Sequence, residues 1–187
     1  GFVKTAKTSS QAPYLILGEG AMHPERQWGA ENFTALAFAL LKGQTHFRIM
    51  VMGGPDEIPL LAQIKTELDH LLSLQTRRHV AFFSGSLPTA IALMHFSRGY
   101  IGNDTSFLNF SAMLGRPTIG LFSHSHPLNY SPHLISLDIL GENDYGTPNI
   151  IQKITPDNVL SHASSIWPEI DLEKTDEHKK GNKNDSC

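Results

Sequence analysis

The chain has 187 residues, enough for one domain with a substantial hydrophobic core. Its formal net charge of -3 comes from interspersed positive and negative side chains, which excludes an extended basic surface for nucleic acid. The single cysteine, Cys187, is the last residue, which excludes a disulfide framework and predicts a reducing compartment, the cytoplasm.

The N-terminal segment is polar. Lys4 and Lys7 are followed by Thr, Ser, Gln and Pro, whereas a signal peptide would continue with an apolar stretch. No apolar run in the sequence approaches the roughly 18 residues of a membrane span. We interpret residues 1–12 as a leader or linker, and the start at Gly1, without a methionine, predicts a fragment of a longer protein.

Short apolar runs alternate with segments of helical period from residue 13 onward. The predicted strands cover residues 14–17, 47–52, 80–83, 99–102 and 117–122. Helical spacing separates them, as in the third helix, where Leu87, Ala90, Ile91 and Met94 are predicted to face inward. This alternation predicts an α/β fold, a Rossmann-like parallel sheet with helices on both faces.

The C-terminal third is less regular. Residues 123–150 are rich in Pro, His, Asn and Gly, and predict an ordered loop with one short strand near residues 135–140. A last helix begins at Thr155, a cap residue followed by proline. Residues 13–170 therefore form one predicted domain, and the charged residues 171–187 form a predicted disordered tail.

In an open parallel sheet, ligands bind beyond the carboxyl ends of the strands. Four loops at that edge carry polar residues: 18–28, 53–57, 84–86 and 102–106. In the last of them a strand passes into Gly-Asn-Asp-Thr and then directly into a helix, whose free amides and positive dipole end would hold a phosphate. The same residue types are good helix caps, so both roles stay open.

Two other loops carry a charged residue suited to a nucleotide. Glu57 follows Gly53-Gly54 in the first turn of a helix, where it favours the helix dipole and could also bind the hydroxyls of a ribose. Arg26 lies in the first loop, where its guanidinium suits a phosphate, although an exposed arginine is most often only solvated.

Several other kinds of site are disfavoured. The sequence has no P-loop, no G-x-G-x-x-G after a strand, no G-x-S-x-G elbow and no Asp-x-Asp metal motif. His124, His126 and His133 could form a metal cluster, but a histidine-rich surface loop is the better interpretation, and no metal site is predicted.

Taken together, these segments resemble glycosyltransferase family 9, the ADP-heptose:lipopolysaccharide heptosyltransferases, over roughly residues 13–165. Residues 97–105 and 112–122 are similar to the family's "igND-[ST]-G … P-t-v-a-l-f" signature. Supporting similarities are Arg26-Gln27-Trp28 before Phe33, Gly53-Gly54-Pro55-Asp56-Glu57, and Ser84-Gly85-Ser86-Leu87.

The resemblance implies the GT-B architecture, with two Rossmann-like domains, of which this chain is the C-terminal, donor-binding half. The catalytic base is then expected in an N-terminal domain that this chain does not contain, so no catalytic residue is assigned here and the chain alone is expected to transfer no sugar. A lipid-linked or oligosaccharide acceptor would bind through that domain, with peripheral contact at the inner face of the inner membrane.

The resemblance also implies roles for particular residues. Arg26 would pair with the donor's pyrophosphate, Glu57 would hold the ribose, and Asp104 and Thr105 would face the sugar and phosphates. The remaining predicted donor-binding residues are Gly53, Gly54, Ser86, Ser106 and Asn109. The substrate would be a nucleotide sugar such as ADP-heptose, and the implied transfer is independent of any metal or cofactor.

The sequence departs from the family pattern at two positions. Ser106 stands where the family usually has glycine, which narrows the approach of a phosphate, and Asn109 stands where it usually has histidine, which removes a group able to carry a proton. Two alternatives therefore remain: a non-catalytic binding module of this fold, and a nucleotide-sugar epimerase of similar architecture.

Overall fold

The computed structural model describes residues 13–21, 23–42, 48–123, 126, 130–137, 140–141, 143–147, 149–168 and 170. The predicted leader (1–12) and tail (171–187) lie outside these residues, so both stay predictions, as do the limits of the domain.

The described residues form six strands and five helices in alternation. The strands are β1 (Tyr14–Gly18), β2 (Arg48–Gly53), β3 (Val80–Ser84), β4 (Gly99–Asn103), β5 (Thr118–Leu121) and β6 (Leu134–Ser136). The helices are α1 (Ala30–Leu41), α2 (Ile58–Leu71), α3 (Leu87–Phe96), α4 (Ser106–Met113) and α5 (Pro156–Ile166). Short 3₁₀ turns occupy Pro24–Arg26, Pro55–Glu57, Thr76–His79 and Ile150–Lys153.

The six strands make one sheet in the order β3-β2-β1-β4-β5-β6, and every neighbouring pair is parallel. This is the doubly wound order of a Rossmann-like fold, so the fold class predicted from the sequence is confirmed. The chain reverses its direction of winding between β1 and β4, where Gly18 is paired with Gly102. Ligands in such sheets bind at the carboxyl side of this switch point.

The core lies on both faces of the sheet because residues alternate sides along each strand. Leu15 and Leu17 of β1 pack with the apolar faces of α1, α2 and α5, while Ile16 packs on the opposite face with residues of α3 and α4. The side chains of Leu15, Ile16 and Leu17 are all fully buried. Each such side chain contributes roughly 1.5–3 kcal/mol of hydrophobic stabilisation.

Two details differ from the prediction. Ala90 and Met94 of α3 are buried as predicted, and Ile91 is half-buried, but the prediction for Leu87 is wrong because it is 45% exposed. Leu87 is the first residue of α3, beside the loop that follows β3, and its side chain lies outside the core.

The short strand β6 lies earlier than predicted. It begins at Leu134, which is paired with Thr118 of β5, and it ends at Ser136. Leu137 and Leu140 follow it and are buried in the core without being part of the strand. No helix among the described residues is long and apolar enough to cross a membrane.

Candidate functional site

Asn103, the last residue of β4, ties the loop after β1 to the switch point of the sheet. The side chain is fully buried, and its Nδ2 donates a hydrogen bond to the Glu19 carbonyl at 2.5 Å. Its Oδ1 accepts a hydrogen bond from the Trp28 backbone N–H at 3.2 Å. The loop is therefore held at both ends against the carboxyl end of β4, which fixes where Arg26 can reach.

The turn between β4 and α4 presents helix amides that no side chain caps among the residues that the structure describes. The helix begins at Ser106, and Thr105 holds the N-cap position with an extended backbone, but the Thr105 side chain makes no capping hydrogen bond. Its hydroxyl instead interacts with the buried phenol of Tyr100. The amides of the first turn are therefore left for a ligand, and an anion is the ligand that suits them.

Tyr100, in β4, lies next to Thr105 of this turn. Its phenol is buried, and burial raises its pKa above the ordinary value, so the hydroxyl stays protonated at neutral pH. The ring lies against Gly18 so closely that a Cβ added to Gly18 would collide with the Tyr100 hydroxyl. A glycine at the end of β1 is thus required for Tyr100 to reach Thr105.

Arg26 and Asp104, both predicted donor-binding residues, meet across the switch point. Arg26 ends the 3₁₀ turn Pro24–Arg26, and its Nη1 lies 3.5 Å from Oδ2 of Asp104. The Arg26 Nε is buried and has no hydrogen-bond partner among the described residues. The structure therefore places a guanidinium, with donors left over, beside the turn that begins α4.

Glu57 reaches from the end of β2 toward the loop after β1. Its Oε2 accepts a hydrogen bond from the Gly54 N–H, which orients the carboxylate. A Cβ added to Gly20 would lie 2.6 Å from the Glu57 Cδ, and one added to Gly53 would lie 3.0 Å from the Glu57 Cβ. These glycines leave the room that the Glu57 carboxylate occupies.

Asn109 lies one turn into α4 and has both ends of its amide engaged. Its Nδ2 donates to the Thr105 carbonyl at 3.1 Å, and its Oδ1 accepts from the Tyr130 hydroxyl at 2.6 Å. Burial, and next the negative charge of Asp104, raise the pKa of Tyr130. Tyr130 is thus a further polar group at this turn, and nothing in the sequence around it indicated this.

The other two predicted residues sit at the same edge of the sheet. Ser106 is the first residue of α4 and is exposed. Ser86 precedes α3 at the end of the edge strand β3, two strands away from β1, and its hydroxyl is 2.9 Å from that of Thr89. Their contacts with a donor stay predictions.

Glu19, directly after β1, was not singled out from the sequence. Its side chain is fully buried, and neither carboxyl oxygen has a hydrogen-bond partner in the part of the chain that the structure describes. Burial, and then the negative charge of Glu57, raise the pKa of Glu19 to about 7. A carboxylate immediately after the apolar run 14–17 was the signal that could have drawn attention to it.

Of the three histidines weighed as metal ligands, the structure describes His126 and His133. His124 lies outside the described residues, and His126 stacks against Tyr145 with ring centroids 4.3 Å apart. Within the described ranges, no group of three or more His, Cys, Asp or Glu side chains is placed to hold a metal ion.

A doubly wound parallel sheet with a guanidinium and uncapped helix amides at its switch point is typical of an α/β domain that binds a nucleotide. A family model described as glycosyltransferase family 9 (heptosyltransferase) matches residues 3–155, and this chain belongs to that family. No curated protein matches the chain in sequence.

Several solved structures share this fold. ADP-heptose LPS heptosyltransferase II of E. coli superposes with a TM-score of 0.72 at 19% identity, covering 86% of this chain and 48% of that one. The family 9 glycosyl transferase of Veillonella parvula gives 0.66 at 19% identity, with 87% and 48% covered. E. coli heptosyltransferase WaaC, solved with ADP-2-deoxy-2-fluoro heptose, gives 0.66 at 16% identity, with 85% and 45% covered. The chain thus spans about half the length of these proteins.

Proposed function

We propose that this chain is the donor-binding domain of a glycosyltransferase. It would transfer a sugar, heptose by family default, from a nucleotide sugar to a lipopolysaccharide core or a related glycan acceptor. The observation that carries the proposal is the Arg26 guanidinium beside the uncapped first turn of α4. Two solved structures of one protein with this fold, described as E. coli heptosyltransferase WaaC with ADP-2-deoxy-2-fluoro heptose and with ADP, support the choice of ligand.

The chemistry asked of this site is stabilisation of a leaving group. In the transfer, the bond between the sugar's anomeric carbon and the phosphate oxygen breaks, and a bond from an acceptor hydroxyl to that carbon forms. The diphosphate leaves with the bonding electrons, and the acceptor's proton goes to a base. In this proposal, amides at the start of α4, together with Arg26 beside them, would stabilise the growing negative charge without a bound cation.

The two carboxylates suit the hydroxyl groups of the donor better than its phosphates. Asp104 would repel a diphosphate, so its acceptor oxygens are better used on hydroxyls of the sugar, while it also orients Arg26. Glu57, with Oε2 held by Gly54, has Oε1 left to accept from a ribose hydroxyl.

The rest of the reaction is assigned to a second domain. We propose that an N-terminal domain supplies the base and the site for a lipid-linked or oligosaccharide acceptor, so that this chain alone binds donor weakly and transfers no sugar. The complete protein would act in the cytoplasm, with peripheral contact at the inner face of the inner membrane.

Calorimetric titration with ADP, UDP and their sugar conjugates tests the donor site. We expect Arg26→Ala and Glu57→Ala each to weaken nucleotide-sugar binding by about 10- to 100-fold, because each removes a charged hydrogen-bonding partner worth roughly 1.5–3 kcal/mol. Arg77→Ala and Glu67→Ala are matched controls, since both side chains belong to α2 and the turn after it. Unchanged nucleotide-sugar affinity in both site variants would exclude this pocket as the donor-binding site.

A non-catalytic binding module is the second candidate. Its supporting observation is Asn109, which replaces the family's usual histidine and has both ends of its amide engaged with Thr105 and Tyr130. Assaying the full-length protein with a panel of nucleotide sugars and glycan acceptors separates the candidates, because a module of this kind would bind donor and release no nucleoside diphosphate.

A further inference from the structure

Glu19 occupies an unusual environment at the switch point. Its backbone is bonded to both strands that flank β1, since its N–H donates to the Met52 carbonyl of β2 at 3.2 Å and its carbonyl accepts from Asn103 of β4. Its side chain is fully buried, and both carboxyl oxygens lack a partner within the described ranges. Buried polar groups nearly always have hydrogen-bond partners, so an exception in a native site calls for a functional explanation.

The charged group that acts on Glu19 is another carboxylate. Glu57, on the turn after β2, lies over Gly20, the residue next to Glu19, and its negative charge acts on the Glu19 carboxyl. Other ionisable side chains at this edge are the protonated Tyr100 phenol of β4, the Arg26–Asp104 pair, and Asp56, which precedes Glu57 in its turn. Arg26 is engaged with Asp104, and it is not among the groups that shift Glu19.

We propose that Glu19 is a positioning residue for Glu57: its neutral carboxyl leaves the Glu57 carboxylate over Gly20, and its ionised carboxyl repels Glu57 from that place. This inference rests on the proposed function, in which Glu57 binds the donor's ribose. Like charges repel more strongly at a buried site than in water. Glu19 is fully buried whereas Glu57 is only partly buried, so Glu57 is the side chain with more room to move.

The consequence is a donor affinity that depends on pH. With the pKa of Glu19 at about 7, its neutral fraction falls from about nine-tenths at pH 6 to about one-tenth at pH 8. If only the neutral form leaves Glu57 in place, donor affinity falls by about tenfold over that range. Glu19→Gln keeps the shape of the neutral carboxyl and removes the charge.

The test is calorimetric titration with ADP-glucose and UDP-glucose between pH 6 and 8, a range in which their phosphate diesters do not titrate. We expect the wild-type affinity to fall about tenfold, and Glu19→Gln to hold the pH 6 affinity at pH 8. In a Glu57→Gln background, Glu19→Gln is expected to have no further effect, because Glu19 acts through the Glu57 charge. A Glu19→Gln variant with the wild-type pH profile would overturn the inference.

A ligand-free measurement separates this inference from the donor-binding proposal. We expect the carboxyl ¹³C resonance of Glu57 to shift with a midpoint near pH 7 in the wild type and not in Glu19→Gln. If that shift is seen and neither nucleotide sugar binds at any pH, the proposed function fails and the coupling stands. If the Glu57 resonance is constant from pH 6 to 8 in the wild type, the coupling is refuted whatever binds.

Discussion

At the scale of single residues, the buried carboxyl of Glu19 makes the stability of the fold depend on pH. A carboxyl group whose pKa is raised in the folded state binds a proton that the unfolded chain has already released. Burial and the Glu57 charge raise the Glu19 pKa from 4.5 to about 7, so the folded state binds more protons between these values. Stability therefore falls as the pH rises through this window.

We predict that Glu19→Gln removes this loss. Below pH 4.5 the variant and the wild type should have similar free energies of unfolding, and above pH 7 the variant should be more stable by up to about 3 kcal/mol, at 1.36 kcal/mol for each pKa unit. Urea unfolding followed by circular dichroism at pH 5, 6, 7 and 8 measures the difference.

The matched control is Glu67→Gln, on an exposed stretch of α2 where the carboxylate hydrogen-bonds with Gln63. Its free energy of unfolding should change by less than about 0.5 kcal/mol over the same pH range. A constant difference between Glu19→Gln and wild type from pH 5 to 8 would show that Glu19 is ionised throughout.

At the scale of secondary structure, two helices begin with threonine in different ways. Thr155 caps α5, since its hydroxyl accepts a hydrogen bond from the Asn158 N–H at 3.3 Å, as predicted for a threonine before Pro156. Thr105 takes the same position in α4, yet its hydroxyl turns to the Tyr100 phenol. The first turn of α5 is therefore capped by its own threonine, whereas the first turn of α4, at the carboxyl edge of the sheet, is not capped by Thr105.

This difference predicts opposite results in a double-mutant cycle. Thr105→Val should destabilise the protein by about 1–3 kcal/mol, because it removes the hydroxyl that interacts with the buried Tyr100 phenol. In a Tyr100→Phe background the same substitution should cost much less, because the group left unsatisfied is gone. Chemical denaturation of the four proteins gives the coupling energy.

Thr155→Val provides the comparison for a true cap. We expect it to cost about 1 kcal/mol in either background, since α5 and Tyr100 have no shared hydrogen bond. An equal cost of Thr105→Val with and without the Tyr100 hydroxyl would mean that Thr105 stabilises α4 as a cap after all.

At the scale of the whole molecule, the winding of the sheet creates the candidate site. Placing β1 beside β4 brings the loop that carries Arg26 against the turn that carries Asp104, although these residues are far apart in the chain. A ligand bound there contacts the ends of several strands, so its binding should stabilise the fold as a unit.

We therefore predict that ADP raises the midpoint of thermal unfolding. At a concentration of about 100 times the dissociation constant, a ligand that binds only the folded state stabilises it by about 2.7 kcal/mol, or roughly 5–10 °C for a domain of this size. Differential scanning calorimetry with and without ADP measures this, and Arg26→Ala should reduce the shift at the same ADP concentration. Because this chain alone is expected to bind donor weakly, the ADP concentration is raised to about 50 mM, and an unchanged wild-type midpoint over that whole range would contradict donor binding by this chain.

How much was predictable from the sequence follows from the range of the interactions involved. Local sequence patterns predict the strands and the helices. A strand buried on both faces requires an apolar run, and a helix with one buried face requires apolar residues at helical spacing. The loops around Arg26, Glu57 and Asp104 were also visible, as polar residues at strand ends. The contacts of Tyr130 were not, because that residue lies in an irregular loop whose path no local pattern predicts.

The sequence by itself determined the fold class, the family and the loops that carry the candidate site. Only the tertiary structure decided which polar side chains at the switch point have partners. The Thr105 hydroxyl is taken by Tyr100, the Arg26 guanidinium faces Asp104, and the Glu19 carboxyl is buried without a partner in the described part of the chain. The physical reason is that burial and charge depend on neighbours from distant strands, and these are set by the order of the sheet.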